Sequence, residues 1–191
     1  MTCKTRRAPP QAPLRVQLCS LMGGARRRTP TMQIESAEMD DVDDLADLWV
    51  ALAGGQRAHR SHIKAEKNRE AIREALARTI ISDGVRIAYE GKTVVGFVMF
   101  SLETGRFELD VSRGVVQNLF VRPEHRGRRV GSRLLATAER ALADAGADVV
   151  SLDAMAANED ARRFYERHGY RPHRIEFEKP VENDTNSSVD G

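Results

Sequence analysis

The stretch "VRPEHRGRRVGSRLL", Val121 to Leu135, sets five arginines and two glycines just ahead of a helical pattern. A helix start carries unpaired N–H groups and the positive end of a dipole, so it is a ready anion site. Glycine there lets a phosphate approach the backbone with no Cβ in the way. The β-branched run "GVVQNLFV" enters this loop and the amphipathic "VGSRLLATAERAL" leaves it. The unit therefore reads as strand, phosphate loop and helix, with Arg126, Arg128 and Arg129 adding charge around a bound diphosphate. The alternative is a solvated basic corner. The nucleotide P-loop is excluded because no Gly-Lys-Ser/Thr follows. The dinucleotide fingerprint is excluded because Gly127 and Gly131 stand four apart with no third glycine.

Two further groups of residues could do chemistry. In "NEDARRFYERHGY", Asn158 precedes Glu159, Asp160 and an apolar-periodic segment, which makes it a good N-cap. Gly169 closes the same helix behind Arg167 and His168. Tyr165 lies two helical turns after Asn158 on the same face, a position that is often simply core. In "HRSH", His59 and His62 have a spacing that suits a metal, but no third ligand is evident nearby, so no metal is expected.

These residues must be carried by regular elements. "MQIESA" reads as a strand. A helix begins at Asp40 or Asp41, runs through Leu45, Leu48, Trp49 and Leu52, and ends at Gly54-Gly55. A second helix is expected from about Ser61 to Ile81. "VRIAYEGKTVVGFVMFSLE" is a hairpin turning at Glu90-Gly91-Lys92. "GVVQNLFV" is a strand covered on both faces, and a helix follows from about Val130 to Ala145. "DVVSLDAM" is a strand, Glu159 to His168 a short helix, and "RPHRIEFEK" a last strand. Hairpins mixed with a β-α-β crossover predict an α/β fold, a mixed central sheet flanked by helices on both faces.

With 191 residues, 41% hydrophobic and 30% charged, the chain suits one soluble domain. No run approaches the ~18 consecutive apolar residues of a membrane span. Residues 1–31 hold seven of the 30 bases and no acid, so residues 32–191 carry 23 bases against 28 acids. Nucleic acid is accordingly a poor partner for the folded part, and a basic tail is the only segment suited to it. Both cysteines, Cys3 and Cys19, fall in the same tail. The folded part thus rests on neither disulfides nor thiol chemistry, and a reducing cytoplasm is the simplest compartment. Residues 1–31 read as a disordered basic extension, with Met32 as the favoured start of translation, and 181–191 as a disordered tail. The domain expected is 32–180.

"NLFVRPEHRGRRVGSRLL" resembles the acetyl-CoA-binding motif of the GCN5-related N-acetyltransferase (GNAT) superfamily, Arg/Gln-x-x-Gly-x-Gly/Ala after a strand. "NEDARRFYERHGY" resembles that family's second signature at Asn158, Ala161, Phe164, Tyr165, Gly169 and Tyr170. The motifs stand in the family's order, and the elements fit over roughly residues 32–180. One departure is Arg129, where the family usually has glycine. Its side chain either points outward or crowds the diphosphate.

The resemblance implies an enzyme that transfers acetyl from acetyl-CoA to a primary amine of a small molecule or protein. It implies that the backbone amides of Leu119, Phe120 and Val121 hold the thioester carbonyl and the pantetheine arm. It implies that Arg126, Gly127, Arg128, Arg129, Val130, Gly131 and Ser132 face the pyrophosphate and that Asn158 lies beside the cofactor. Tyr165 would protonate the coenzyme A thiolate. Asp153 matches a catalytic glutamate of some members and is the first candidate for general base. Gln117 stands where others hold a glutamate but cannot accept a proton there; Glu103 and Glu108 are further candidates, and an ordered water is another. The loop "GGQRAHRSH" would lie over the acceptor, suiting one with a carboxylate or phosphate. A homodimer is the family's common habit. The competing expectation is a GNAT-like module that binds acyl-CoA without catalysis.

Overall fold

The computed structural model describes residues 32–104 and 109–181. The expectations for the basic extension, for Glu108 and for residues 182–191 lie outside the described residues. The strands are β1 (Met32–Ser36), β2 (Val85–Glu90), β3 (Thr93–Leu102), β4 (Arg113–Val121) and β5 (Val149–Leu152). The helices are α1 (Val42–Gln56), α2 (Arg69–Ile81), α3 (Val130–Asp144) and α4 (Glu159–Arg167). The strands form one sheet in the order β1-β2-β3-β4-β5. The first three pairings are antiparallel and β4–β5 is parallel. Helices on both faces of a mixed sheet agree with the expected architecture.

Each face has its own core. On one, Leu45, Ala46 and Leu48 of α1 and Ile72 and Leu76 of α2 meet Ile87, Phe97 and Phe120. On the other, Val130, Leu134, Leu135, Ala138 and Leu142 form the buried stripe of α3 over Val95, Val98, Phe100 and Val116. Leu134 and Leu135 are fully buried, each stabilising the fold by about 1.5–3 kcal/mol. Gly114 makes this stacking close: a Cβ on it would stand 2.8 Å from Leu142. Across α1 and α2, Arg73 Nε donates to Asp43 Oδ1 at 2.7 Å, and Arg69 pairs with Asp47.

Three sequence expectations need correction. α1 runs through Gly54 and Gly55 to Gln56, because glycine within a helix costs only about 1 kcal/mol and buried neighbours offset it. α2 begins at Arg69 after a 3-10 turn at Glu66–Asn68, and residues 61–64 are neither helix nor strand. "RPHRIEFEK" forms no strand here, and its Ile175 and Phe177 stand 75% and 91% exposed. Its alternating pattern is real, but within this chain no sheet edge lies against it.

One local irregularity matters most for function. Phe100 pairs with Val116, and Met99 with Asn118, so Gln117 is an extra residue, a β-bulge in β4. A bulge bends its strand and reverses which face later side chains meet. Accordingly Val116 belongs to the core under α3, whereas Phe120 belongs to the core under α1 and α2. β5 pairs with β4 only from Arg113↔Val149 to Val116↔Leu152 and then stops. Beyond the bulge, β4 has β3 on one side and, among the described residues, no strand on the other.

Candidate active site at the β4–β5 fork

The fork opens between Gln117–Val121 of β4 and the end of β5. Asp153 follows Leu152 directly, so it stands exposed where the strands part. Leu119 and Val121 pack toward α3 and Phe120 toward α1 and α2, so all three side chains belong to the fold. What they offer a ligand is backbone, along a strand that rises about 3.3 Å per residue. About 13 Å of β4 therefore separates the bulge from Val121, where the arginine-glycine turn begins.

The turn is built on positive φ. Gly127 has φ +73° with open space around it, and Arg129 has φ +61° at the N-cap of α3. The backbone thus keeps at Arg129 a conformation suited to glycine, and the arginine side chain is exposed rather than folded into the turn. A left-handed conformation costs a non-glycine residue about 1–2 kcal/mol. Arg129→Gly is therefore expected to stabilise the protein by ~1 kcal/mol in urea unfolding, and no gain would show the turn unstrained.

No side chain caps α3, so the first-turn amides of Val130, Gly131 and Ser132 are not taken by a cap. At Gly131 a Cβ would only touch the Phe164 ring at 3.5 Å. The arginines divide in role. Arg126 Nε donates to the Val121 carbonyl at 3.1 Å, folding back over the strand end. Arg128 is engaged by Glu90 at the end of β2, and His125 Nε2 donates to the same carboxylate at 3.0 Å. Arg128 chiefly, and His125 after it, hold the Glu90 carboxyl below its usual range. This tether fastens the turn to the β2–β3 hairpin and was not foreseen.

α4 brings the second motif to the turn. Asn158 Oδ1 accepts from the Ala161 amide at 3.0 Å, the N-cap expected, and Gly169 has φ +91° beyond the helix end. His168 joins the two motifs. Its Nδ1–H donates to the Phe164 carbonyl at 2.8 Å, and in that tautomer Nε2 accepts from the Ser132 hydroxyl at 2.9 Å. The first turn of α3 is thus locked to the last turn of α4, a link with no sequence signature. Tyr170 donates to Glu139 of α3 at 2.9 Å, and burial pushes its phenol well up.

Tyr165 packs edge-on against Phe164 and Tyr170, with ring centroids 5.3 and 5.9 Å away. Its hydroxyl makes no hydrogen bond among the described residues. Burial raises its pKa above the usual 10.0, so the phenol is held protonated at neutral pH. That is the state a proton donor needs.

The remaining candidates sit elsewhere or are occupied. Glu103 pairs with Arg113 at the opposite end of β4, with Nε 3.4 Å from Oε2. Gln117 donates to Ser101 Oγ at 3.1 Å on the exposed rim. His62 Nε2 donates to Glu178 at 2.7 Å. Among the described residues no three His, Cys, Asp or Glu side chains converge as a metal site requires, and no helix is long and apolar enough to cross a membrane.

The family model for the acetyltransferase (GNAT) family matches residues 43–170, which takes in the bulged strand, the turn and α4. The chain belongs to this family. It is an acetyl-CoA-dependent N-acetyltransferase. The aminoalkylphosphonate N-acetyltransferase of Salmonella typhimurium is 30% identical over 156 residues, 80% of this chain and 93% of that one. Among solved structures, a GCN5-related N-acetyltransferase from Ralstonia eutropha superposes with TM-score 0.65 at 23% identity. It covers 79% of this chain and 99% of its own. The PaiA N-acetyltransferase of Thermoplasma acidophilum, solved with coenzyme A, also has TM-score 0.65, at 18% identity, over 76% and 93% of the two chains. At these identities the structural neighbours speak for the GNAT fold alone.

Proposed function

We propose that this GNAT enzyme acetylates a small primary amine carrying an acidic group, a phosphonate or carboxylate. The observation that carries the reading is the loop after α1. It presents Arg57, His59, Arg60, His62 and Lys64 beside a shallow apolar cleft of about 260 Å³ lined by Trp49, Ile63, Asn68, Ala71 and Ile72. Arg57, Arg60 and Lys64 at the rim suit the acid, and the apolar wall suits a short alkyl chain. His62 already donates to a carboxylate, that of Glu178. The aminoalkylphosphonate acceptor in the relative's name points the same way.

The fork supports the following residue roles. A ligand with its diphosphate on the first turn of α3 and its thioester at the bulge needs a flexible arm between them, as coenzyme A has. The amides of Gly127 to Ser132, with Arg126 and Arg129, hold the diphosphate. Arg128 contributes through its tether to Glu90. Asn158, through the amide nitrogen its capping role leaves over, lies beside the arm. Backbone groups of Leu119 to Val121 polarise the carbonyl.

The neutral amine attacks the thioester carbon, and the carbon–sulfur bond breaks. Tyr165 gives its proton to the departing thiolate, and Asp153, directly or through water, takes the proton the amine loses. A folded part without cysteine suits a reducing cytoplasm.

Initial rates with 2-aminoethylphosphonate and with n-propylamine test the acceptor. The expected kcat/KM ratio is at least about 100 in favour of the phosphonate, the discrimination one charged contact provides. His62→Ala should raise its KM while sparing kcat. Equal efficiency with both amines would overturn the acidic-acceptor reading and leave acetyl transfer standing.

A further inference from the structure

Where the two motifs meet, one hydroxyl proton has two claimants. Ser132 is the third residue of α3. Helical side chains tilt toward the N-terminus of their helix, so its Oγ lies at the mouth of α3, where the diphosphate is proposed to bind. His168 is the C-cap of α4, with its ring half-buried and its centroid 4.4 Å from that of Phe164. Nδ1 stands 2.8 Å from the Phe164 carbonyl oxygen, which has only lone pairs to offer, so Nδ1 carries a proton whether the ring is neutral or charged. Nε2, 2.9 Å from Ser132 Oγ, is therefore the nitrogen that gains or loses one.

The charge on the ring decides where the serine hydrogen points. In the neutral ring Nε2 accepts it, and Oγ presents only lone pairs to the helix mouth. Toward a diphosphate that arrangement is repulsive. In the imidazolium both ring nitrogens donate. Nδ1 keeps the Phe164 carbonyl, Nε2 donates to Oγ, and the serine hydrogen turns to a phosphate oxygen.

We propose that binding of acetyl-CoA is coupled to uptake of one proton at His168, a positioning residue that makes Ser132 a hydrogen-bond donor to the diphosphate. The inference rests on the diphosphate lying at the first turn of α3. Among the described residues no charged side chain hydrogen-bonds to the ring. Of the charged residues beside it on the two helices, Arg129, Glu166 and Arg167 are exposed, and Arg133 donates to the Met32 carbonyl. The charge that responds to the ring is thus the ligand's own. The sign follows from linkage. The bound state holds one more proton than the free state, so affinity is greatest at low pH. It falls by up to about tenfold per pH unit as pH rises through the range in which imidazole titrates.

Calorimetric titration of the full chain with acetyl-dephospho-CoA tests this. That ligand keeps the diphosphate and lacks the 3′-phosphate, a monoester that itself titrates near pH ~6. Buffers of different ionisation enthalpy at about pH 7 count the protons taken up. The wild type should take up about 0.5 proton or more, and its Kd should rise about 10-fold or more from about pH 6 to about pH 8.5. In His168→Gln the side-chain NH2 donates to Oγ at any pH, so the uptake should be lost and Kd should vary less than about 3-fold over that range. Ser132→Ala keeps the histidine and removes the hydroxyl. It should lose the uptake as well and bind about 10-fold more weakly than wild type at the low-pH end. His125, the other histidine of the turn, is engaged by Glu90, and any titration of its own would persist in both variants. Wild-type binding that is lost in Gly131→Glu but takes up no proton would overturn the coupling and leave the diphosphate site standing. Uptake that persists undiminished in His168→Gln or in Ser132→Ala would overturn it too. Binding by Gly131→Glu as tight as wild type would overturn the site and the coupling together.

Discussion

Gly131→Glu is expected to lower affinity for acetyl-CoA by at least about 100-fold, about 2.7 kcal/mol, without lowering stability. The two effects separate because they have different causes. A Cβ at position 131 meets Phe164 at 3.5 Å and Val121 at 3.7 Å, ordinary contact distances, so the fold admits a side chain there. A carboxylate in the first turn of α3 complements the helix dipole and if anything stabilises the helix. Toward a diphosphate the same carboxylate is repulsive, and it occupies the space that the uncapped amides of Val130 to Ser132 leave for an anion. Calorimetric titration beside thermal unfolding reads both quantities. Gly131→Ala, which adds bulk without charge, should lose 10-fold or less, about 1.4 kcal/mol. Binding by Gly131→Glu within a few-fold of wild type would show that the diphosphate lies elsewhere.

Tyr165→Phe is expected to reduce kcat by about 100- to 1,000-fold, within the range for a single positioned acid. KM for acetyl-CoA should hardly move, because the role proposed for Tyr165 is at the leaving sulfur and not at the diphosphate. Stability should stay within about 0.5 kcal/mol, since the hydroxyl removed makes no hydrogen bond among the described residues. The pH profile gives an independent check. The acid must be protonated to act, and burial raises its pKa above 10.0. Wild-type kcat should therefore show no alkaline loss from this group until the pH exceeds 10.0. The variant's residual activity should lack any such step. Full turnover by Tyr165→Phe on the preferred acceptor would remove the role.

Much of this was legible in the chain because it is local. The N-cap at Asn158, the glycine stop at Gly169 and the buried stripe of α3 follow from residue types at fixed spacing along one helix. The arginine-glycine turn was legible for the same reason, and its positive φ at Arg129 preserves the conformation even where the residue departs from glycine. Weaker signals failed at boundaries. Gly54 and Gly55 looked like a helix end and are not, because buried contacts of α1 outweigh their poor propensity.

By itself, then, the sequence determined the order of elements as far as α4, the anion-ready turn and the two motifs, each a property of neighbours within a few residues. Tertiary structure decided what those pieces form together. The bulge at Gln117 and the early end of β5 open the fork. His168 locks Ser132 to α4 across 36 residues of sequence, and Glu90 claims Arg128 across 38. It also decided that "RPHRIEFEK", a strand by pattern, lies against no sheet edge of its own chain. The reason is common to all of these. Strand register, side-chain pairing and edge occupancy depend on which distant residues meet, and alternation along one segment cannot name its partner.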